Sequence, residues 1–166
     1  GQRISDFMNF SIDNIRHQDE FSVMDILQEK GKKSVTIPVL NEVLKIMKRY
    51  DGGFPRQLSD QKYNDYVKEV VKLAGIDEIT YGGVVKIIPG IGKRKIMGDY
   101  PKYELISSHV GRRSFATNFY GKIRTPWLMN ITGHVKESTF LAYIGKTSKD
   151  TAIEAAREFK KLNIEL

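Results

Sequence analysis

The chain has 166 residues, 40% of them hydrophobic, which is enough for one globular core and too few for two, so we predict a single domain. Its 27 lysines and arginines outnumber 20 acidic residues, and the net charge of +7 favours a polyanionic partner, with nucleic acid ahead of an anionic membrane surface. The absence of cysteine excludes disulfides and thiolate metal sites, three scattered histidines make a poor zinc site, and no apolar run approaches the roughly 20 residues that span a bilayer.

The start of the chain predicts a short helix followed by a β-hairpin. Ile4, Phe7 and Met8 recur at helical spacing with no capping residue before them. Because helices normally begin at a cap, we expect the sequence to be an excised fragment whose upstream part is missing. Two extended runs at 21–29 and 34–39 flank a basic turn that contains a glycine, which predicts a hairpin with lysines at its tip.

Two helices are predicted next. Asn41 is expected to cap the first, which would turn Leu44 and Met47 inward. The second, over 58–75, places tyrosines, valines and an alanine at i, i+3, i+4 and i+7. We expect both to be core helices.

The segment 79–103 combines glycine, β-branched residues and lysine. This mixture predicts a loop with an irregular hairpin, and the loop would carry the basic cluster Lys93-Arg94-Lys95. We expect it to be mobile or to face DNA, although a solvated loop is almost as good an interpretation.

The last third predicts three helices around the segment ITGHVKESTFLAYIG at 131–145. Ser107 or Ser108 would cap one helix, and Pro126 would open another at its first helical position. A segment at 148–162 follows, with Ser148 as its cap and a stripe of alanine, phenylalanine and leucine that must be buried. Together these elements predict an α+β fold, mainly α-helical with a small antiparallel β-sheet.

His109 and Arg112 are three residues apart on a predicted helix, so both side chains can reach one phosphate. A guanidinium can donate two parallel hydrogen bonds to phosphoryl oxygens, and histidine can add a donor or move a proton near neutral pH. Taken alone, the pair is better explained as solvated surface.

Six residues of types suited to phosphate chemistry occur in a fixed chain order. They are Arg3, Lys30, His109, Arg112, His134 and Tyr143. This ordered set resembles the tyrosine recombinase, or phage integrase, family. The resemblance covers essentially all 166 residues and implies the catalytic-domain fold of that family.

The resemblance also implies what the cationic residues do. Arg3 and Arg112 would clamp the scissile phosphate, and Lys30 would be the hairpin lysine that protonates the departing 5′ oxygen. Lys32 and Lys33 share the same turn and remain alternatives to Lys30 as that proton donor.

Tyr143 would be the nucleophile, and His109 and His134 would donate hydrogen bonds or exchange protons at the phosphate. Asp6 falls where the family usually has an acidic residue that supports the site. Tyrosine has a pKa near 10 in water, so its oxygen attacks at neutral pH only if cations stabilise the phenolate or a base takes its proton. The apolar neighbours of Tyr143 also fit a core tyrosine.

The resemblance implies a site-specific recombinase or integrase of a mobile element or prophage, acting in the cytoplasm on double-stranded DNA. It would use a 3′-phosphotyrosine intermediate, with no metal, no small-molecule cofactor and no membrane. The fragment would lack an upstream DNA-binding domain, and residues 148–162 would pack in cis or in trans within a tetramer on two DNA sites. A type IB topoisomerase and an inactive DNA-binding regulator are the alternatives.

Overall fold

The computed structural model describes residues 1–164, which form two compact units. The N-terminal unit comprises Gln2–Arg112, and the C-terminal unit comprises Gly1 and the chain from Arg113 onward. Within the described residues, no helix is both long enough and apolar enough to cross a membrane. The prediction of one catalytic domain over the whole chain stays a prediction.

The N-terminal unit begins with a short helix and a three-stranded antiparallel sheet in the order β1-β2-β3. These elements are α1 (Ile4–Phe7), β1 (Ile15–Gln18), β2 (Phe21–Leu27) and β3 (Ser34–Pro38). Because side chains alternate along a strand, Met24 and Ile26 of β2 share one buried face with Val35 of β3. The predicted hairpin is therefore confirmed. β1 was not predicted, since only one of its four side chains is apolar.

Helix α2 (Asn41–Lys48) differs in detail from its prediction. Its cap is Leu40, which provides no side-chain hydrogen bond, and Asn41 is the first helical residue. Met47 is buried as predicted, but Leu44 is 39% exposed, so the prediction for Leu44 is wrong. A helix of two turns has room for only one row of side chains against a neighbour.

Helix α3 (Asp60–Leu73) begins at Ser59, whose hydroxyl accepts a hydrogen bond from the amide of Lys62. No residue of α3 is fully buried, so the prediction of a core helix is wrong. On its packed side, the ring of Tyr63 contacts the ring of Phe7, with the two centroids 5.3 Å apart. Helical spacing identified an apolar face, but that face is wider than the surface that covers it, and Val70 remains exposed.

Strands β4 (Ile79–Ile88) and β5 (Gly92–Pro101) form a regular antiparallel ribbon, paired without interruption from Ile79–Pro101 to Ile88–Gly92. The prediction of a loop with an irregular hairpin is wrong here. The glycines do not interrupt the strands, since pairing continues through them. At Gly82 the missing side chain leaves room for Leu105, because a Cβ there would come within 2.7 Å of it. Leu105 lies on the short helix α4 (Lys102–Leu105), which directly follows β5 and packs against both strands of the ribbon.

The C-terminal unit is helical. Helix α5 (Ser108–Phe119) starts in the N-terminal unit, and its later residues belong to this one; the remaining helices are α6 (Thr125–Thr132), α7 (Glu137–Ile144) and α8 (Ser148–Lys161). The core consists of four buried side chains, Ala116, Leu128, Phe140 and Ile144. The predicted helices are confirmed, although Pro126 is the second helical residue and not the first.

Helix α8 is capped by Thr147, not by Ser148 as predicted. The predicted buried stripe is exposed at its apolar end, where Phe159 is 44% and Leu162 is 69% accessible. Within residues 1–164 this end of the stripe is not covered, and packing in trans stays a prediction, because amphipathic spacing does not tell which surface covers a helix.

A polar cluster anchors α8 instead. The Glu154 carboxylate accepts hydrogen bonds from the Tyr120 hydroxyl at 2.9 Å and from Lys146 Nζ at 2.7 Å. Lys146 also lies over the Tyr120 ring, 5.3 Å from its centroid. Burial, followed by the hydrogen bond to Glu154, raises the pKa of Tyr120 to about 12. The hydrogen bond from Lys146 holds the pKa of Glu154 below its usual value.

Replacing Tyr120 by phenylalanine should change how stability depends on pH. The folded chain keeps the Tyr120 proton up to about pH 12, whereas an unfolded tyrosine loses it near pH 10. The stability from this group is thus fully present below pH 10 and is lost as the pH rises to 12. We expect the free energy of unfolding of the natural chain to exceed that of Tyr120→Phe by about 1–2 kcal/mol at pH 8. This difference should disappear by pH 12.

Urea unfolding at both pH values measures this gap. Tyr81→Phe, which alters an exposed tyrosine, is the control and should leave the free energy of unfolding unchanged at either pH. A gap that stays constant between pH 8 and pH 12 would contradict the assignment.

Candidate active site

The six candidate residues lie on both units. The N-terminal unit carries Arg3, Lys30, His109 and Arg112, and the C-terminal unit carries His134 and Tyr143. In the first unit, hydrogen bonds join the start of α1 to the lysine hairpin. In the second, the two aromatic rings are in contact.

Arg3 immediately precedes α1, and its guanidinium is directed towards polar partners. Nη1 lies 3.4 Å from Oε1 of Gln28 and 3.6 Å from Oδ2 of Asp6. The Asp6 side chain is fully buried, and its Oδ1 accepts a hydrogen bond from the amide of Glu29 at 2.9 Å. Asp6 therefore connects the arginine to the turn that carries the candidate lysine. The supporting role inferred for Asp6 stays a prediction, but its contacts are of the kind that role requires.

Two glutamines that were not predicted complete this network. Gln28 Nε2 donates to Oε1 of Gln2 at 3.0 Å, and both side chains are buried. The missed signal is the alternation along β2. Met24 and Ile26 point into the core, so position 28 continues the inward row, and a polar residue there needs a polar partner.

The turn between β2 and β3 carries three lysines in different surroundings. Lys32 pairs with Glu29 at 2.8 Å, and Lys33 is half-buried. Lys30 is exposed, and among residues 1–164 no acidic side chain forms a salt bridge with it. Lys32 is thus engaged by a carboxylate of its own turn, whereas no salt bridge holds Lys30 or Lys33 among the described residues.

His109 and Arg112 lie near the start of α5, one turn apart, as predicted. The amide of Ser108, the first residue of the helix, donates to Oδ1 of Asn64 on α3 at 2.7 Å. This contact fixes the start of α5 through a side chain that the sequence analysis did not identify. His109 is exposed and Arg112 is buried, so a permanent positive charge is held inside the protein.

His134 follows directly after α6, which ends at Gly133 in the left-handed conformation with φ of 66°. Its backbone amide donates to the carbonyl of Met129 at 2.9 Å. Its Nδ1 lies 2.8 Å from Oγ1 of Thr132, and that hydroxyl is itself 2.8 Å from the carbonyl of Leu128. A hydroxyl that gives its one hydrogen to the carbonyl can only accept from the ring, so this arrangement favours the tautomer with the proton on Nδ1. Nε2 is therefore the ring nitrogen that can accept or release a proton.

Tyr143 lies on α7 between two buried residues of the helix, Phe140 and Ile144. It is half-buried, and its ring contacts His134 with centroids 5.0 Å apart. Its apolar neighbours thus anchor the helix. Tyr143 is one of the partly buried side chains that pack against the C-terminal core, which the core-tyrosine interpretation from the sequence also predicts.

The end of α7 is also defined. Gly145 adopts φ of 75°, and a Cβ there would come within 3.2 Å of the Arg113 guanidinium. A cation near a helix C-terminus interacts favourably with the exposed carbonyls. Arg113, the residue after Arg112 on α5, therefore lies against the end of the helix that carries Tyr143.

The two units carry different kinds of reactive side chain. Across residues 1–164, no three histidine or acidic side chains cluster closely enough to hold a metal ion. The N-terminal unit offers cationic groups, and the C-terminal unit offers an imidazole in contact with a phenol. These are the groups needed to stabilise a phosphoryl transition state and to supply a nucleophile.

Known proteins resemble the chain in both sequence pattern and fold. The family model described as the phage integrase family matches residues 1–150. The crystal structure of XerA recombinase is 15% identical with a TM-score of 0.60, and the match covers 99% of this chain and 54% of that one. XerH site-specific recombinase, solved with its difH substrate in a pre-cleavage complex, is 14% identical with a TM-score of 0.59, and the match covers 93% of this chain and 42% of that one.

The chain thus spans about half the length of these recombinases, and no curated protein sequence matches it. The shared architecture confirms the predicted α+β fold of tyrosine recombinase catalytic domains. Since the family match extends over most of the sequence, the chain belongs to the phage integrase family of tyrosine recombinases.

Proposed function

We propose that this chain is the catalytic domain of a site-specific DNA recombinase that cleaves and rejoins DNA through Tyr143. The observation that carries the proposal is the contact between the Tyr143 ring and His134, whose Nδ1 is held by Thr132. A phenol beside an oriented imidazole has a group that can exchange a proton during phosphoryl transfer.

The proposed reaction conserves the energy of the phosphodiester. The phenol oxygen of Tyr143 attacks phosphorus, its proton passes to a base, and a new O–P bond forms as the bond to the 5′ oxygen breaks. The 5′ oxygen takes a proton from Lys30, and the product is a 3′-phosphotyrosine with a free 5′-hydroxyl. Attack of a 5′-hydroxyl from another strand reverses these steps, so rejoining consumes no nucleotide cofactor.

The cations in this scheme compensate for the charge that develops on the phosphate. Arg3 and Arg112 are permanently charged, and a pentacoordinate phosphorus carries more negative charge than the diester. His109 and His134 donate hydrogen bonds or exchange protons at the same oxygens. Asp6 supports Arg3 and the hairpin turn through the contacts described above.

We further assign the chain to a recombinase or integrase of a mobile element or prophage that acts on double-stranded DNA in the cytoplasm. It would be the catalytic part of a longer protein with an upstream DNA-binding domain. Recombination would need a tetramer on two DNA sites, and the exposed apolar side chains of α8 are the proposed contact between subunits. Direct evidence for this contact would be a loss of self-association when the chain lacks residues 148–166.

Substitution of Tyr143 by phenylalanine should abolish covalent adducts and preserve DNA binding. The natural chain and Tyr143→Phe are incubated with a nicked suicide substrate containing the bound site, and adducts are separated by denaturing electrophoresis. Tyr81→Phe, at an exposed tyrosine, is the matched control and should form adducts normally.

Peptide mapping then identifies the linked residue. An adduct at Tyr143 with a 3′-phosphate supports the proposal, and strand exchange with a second duplex distinguishes a recombinase from a type IB topoisomerase. If the natural chain binds the site but forms no adduct, the protein is a DNA-binding regulator.

The identity of the hairpin lysine can be tested with a substrate whose leaving oxygen is replaced by sulfur. A thiol leaves with a pKa near 8.5, far below that of an alcohol, so it needs no proton donor. We expect Lys30→Ala to slow cleavage of ordinary DNA by about 10²–10⁴-fold and to cleave the sulfur substrate at nearly the natural rate. Lys32→Ala and Lys33→Ala are tested in parallel. If the sulfur substrate restores cleavage only in one of these two variants, that lysine and not Lys30 is the proton donor.

Removal of the Thr132 hydroxyl should affect the reaction without changing DNA affinity. Thr132→Val keeps the side-chain volume but leaves the Nδ1 proton of His134 without its acceptor. A lost hydrogen bond of about 1–1.5 kcal/mol predicts a five- to tenfold slower single-turnover adduct formation at saturating DNA. Thr132→Ser, which keeps the hydroxyl, should react at close to the natural rate. Equal rates for serine and valine would show that this contact does not orient His134.

A further inference from the structure

The half of the β4–β5 ribbon farthest from α4 carries only positive charge. Its charged residues are Lys86, Lys93, Arg94 and Lys95. No acidic residue occurs between Glu78 and Asp99, and Glu78 is already paired with Lys102 beside the other end of the ribbon. The ribbon therefore changes from one net negative charge near α4, from Asp99, to an excess of four positive charges near its turn.

The register of the strands places these cations on both faces. Lys86 lies directly opposite Arg94 on one face, and Lys93 and Lys95 lie opposite Ile87 and Val85 on the other. Like charges facing each other across a strand pair are destabilising. Within residues 1–164, no carboxylate forms a salt bridge with any of the four. Lys86 instead lies over the ring of Tyr100, 5.5 Å from its centroid.

This part of the ribbon is accessible on both sides. All four cations are exposed, and on the face of Lys93 and Lys95 the apolar side chains of Val85 and Ile87 are 63% and 75% exposed. Ten residues per strand give a length of about 33 Å, close to one helical turn of DNA at about 34 Å. A two-stranded ribbon also fits the major groove, which is about 12 Å wide.

We propose that the cationic end of the β4–β5 ribbon is a DNA-binding element that contacts phosphates of the duplex, in addition to the residues around the cleaved phosphate. The inference rests on the proposed function, because it takes double-stranded DNA as the polyanion. Cations on both faces fit the two phosphate walls of a groove, whereas a flat anionic surface would meet the cations of only one face. Val85 and Ile87 then fill the space between backbone contacts on their face.

The test measures the salt dependence of duplex binding by the full 166-residue chain. Each phosphate contact contributes about 0.9 to the slope of log K against log salt concentration. The triple variant Lys93→Gln, Arg94→Gln, Lys95→Gln should reduce that slope by about 2 to 3 and weaken binding to a similar degree on different sequences. The matched control replaces two other exposed lysines and an exposed arginine on α8 by glutamine, at Lys149, Arg157 and Lys160, and should leave the slope nearly unchanged.

A charge-preserving variant guards against misfolding. Lys93→Arg with Lys95→Arg should keep the natural slope, and circular dichroism of all variants should match the natural chain. The proposal is overturned if the ribbon variant keeps the natural slope, or if the slope falls as much in the α8 control as in the ribbon variant. Binding to phosphatidylserine vesicles that is lost in the ribbon variant while the DNA slope is kept would identify a membrane surface instead.

Adduct formation separates this inference from the proposed function. With saturating protein, the ribbon variant should still form the Tyr143 adduct on a suicide substrate, because the ribbon takes no part in the chemistry. If the ribbon variant forms adducts and also keeps the natural slope, the ribbon site is overturned and the proposed function stands. A natural chain that binds duplex with a ribbon-dependent slope but forms no adduct overturns the proposed function and leaves the ribbon as a DNA-binding element.

Discussion

The ion pair between Arg3 and Asp6 is the interaction on which the N-terminal part of the candidate site depends. A cation that acts on a phosphate must be held in place without being fully neutralised by its own protein. Asp6 meets this requirement because one carboxylate oxygen accepts a hydrogen bond from the Glu29 amide, while the other lies 3.6 Å from the guanidinium. The arginine thus experiences a nearby negative charge but retains hydrogen-bonding capacity for a ligand. The same carboxylate ties the start of α1 to the turn, so Arg3 and the lysine turn share one buried anchor although they are far apart in sequence.

The C-terminal unit positions its groups through helix ends. His134 lies one residue beyond the left-handed Gly133, and Tyr143 lies two residues before the left-handed Gly145. Each side chain is therefore fixed by the geometry of a helix terminus and by the core residues of the adjoining turn. The Thr132 hydroxyl adds orientation at the imidazole, since it joins the ring to a helix carbonyl. Backbone conformation and one buried hydroxyl thus both contribute to the placement of these two groups.

Much of this organisation could be predicted from the sequence. The lysine hairpin follows from two extended runs and a basic turn, and the helices that carry His109 and precede His134 follow from periodicity and turn residues. The ordered set of candidate residues led to the family, whereas helix α7, which carries Tyr143, was not predicted. These features are local in sequence or depend on residue type, which explains their success. The individual catalytic roles remain predictions, because a role depends on where DNA lies.

Other features could not be predicted because they depend on which surfaces meet. Helical spacing marked Leu44 as inward-facing and α8 as buried, yet amphipathic patterns do not identify a covering surface. The buried Gln28 escaped notice because it carries no charge, although its position in the strand alternation indicated a buried polar group. In the β4–β5 ribbon, glycines were read as breaks, whereas Gly82 leaves room for Leu105 to pack against the strand.

The way α8 is attached has a consequence for how this helix could be released. Its anchor is one carboxylate, Glu154, shared between a phenol and an ammonium group, and the apolar side chains at its far end are not covered. Detachment would therefore expose little new apolar surface and would leave the core around Phe140 intact. Because the Lys146–Glu154 pair is partly open to solvent, ions compete with it directly. Added salt therefore weakens the electrostatic part of the attachment of α8.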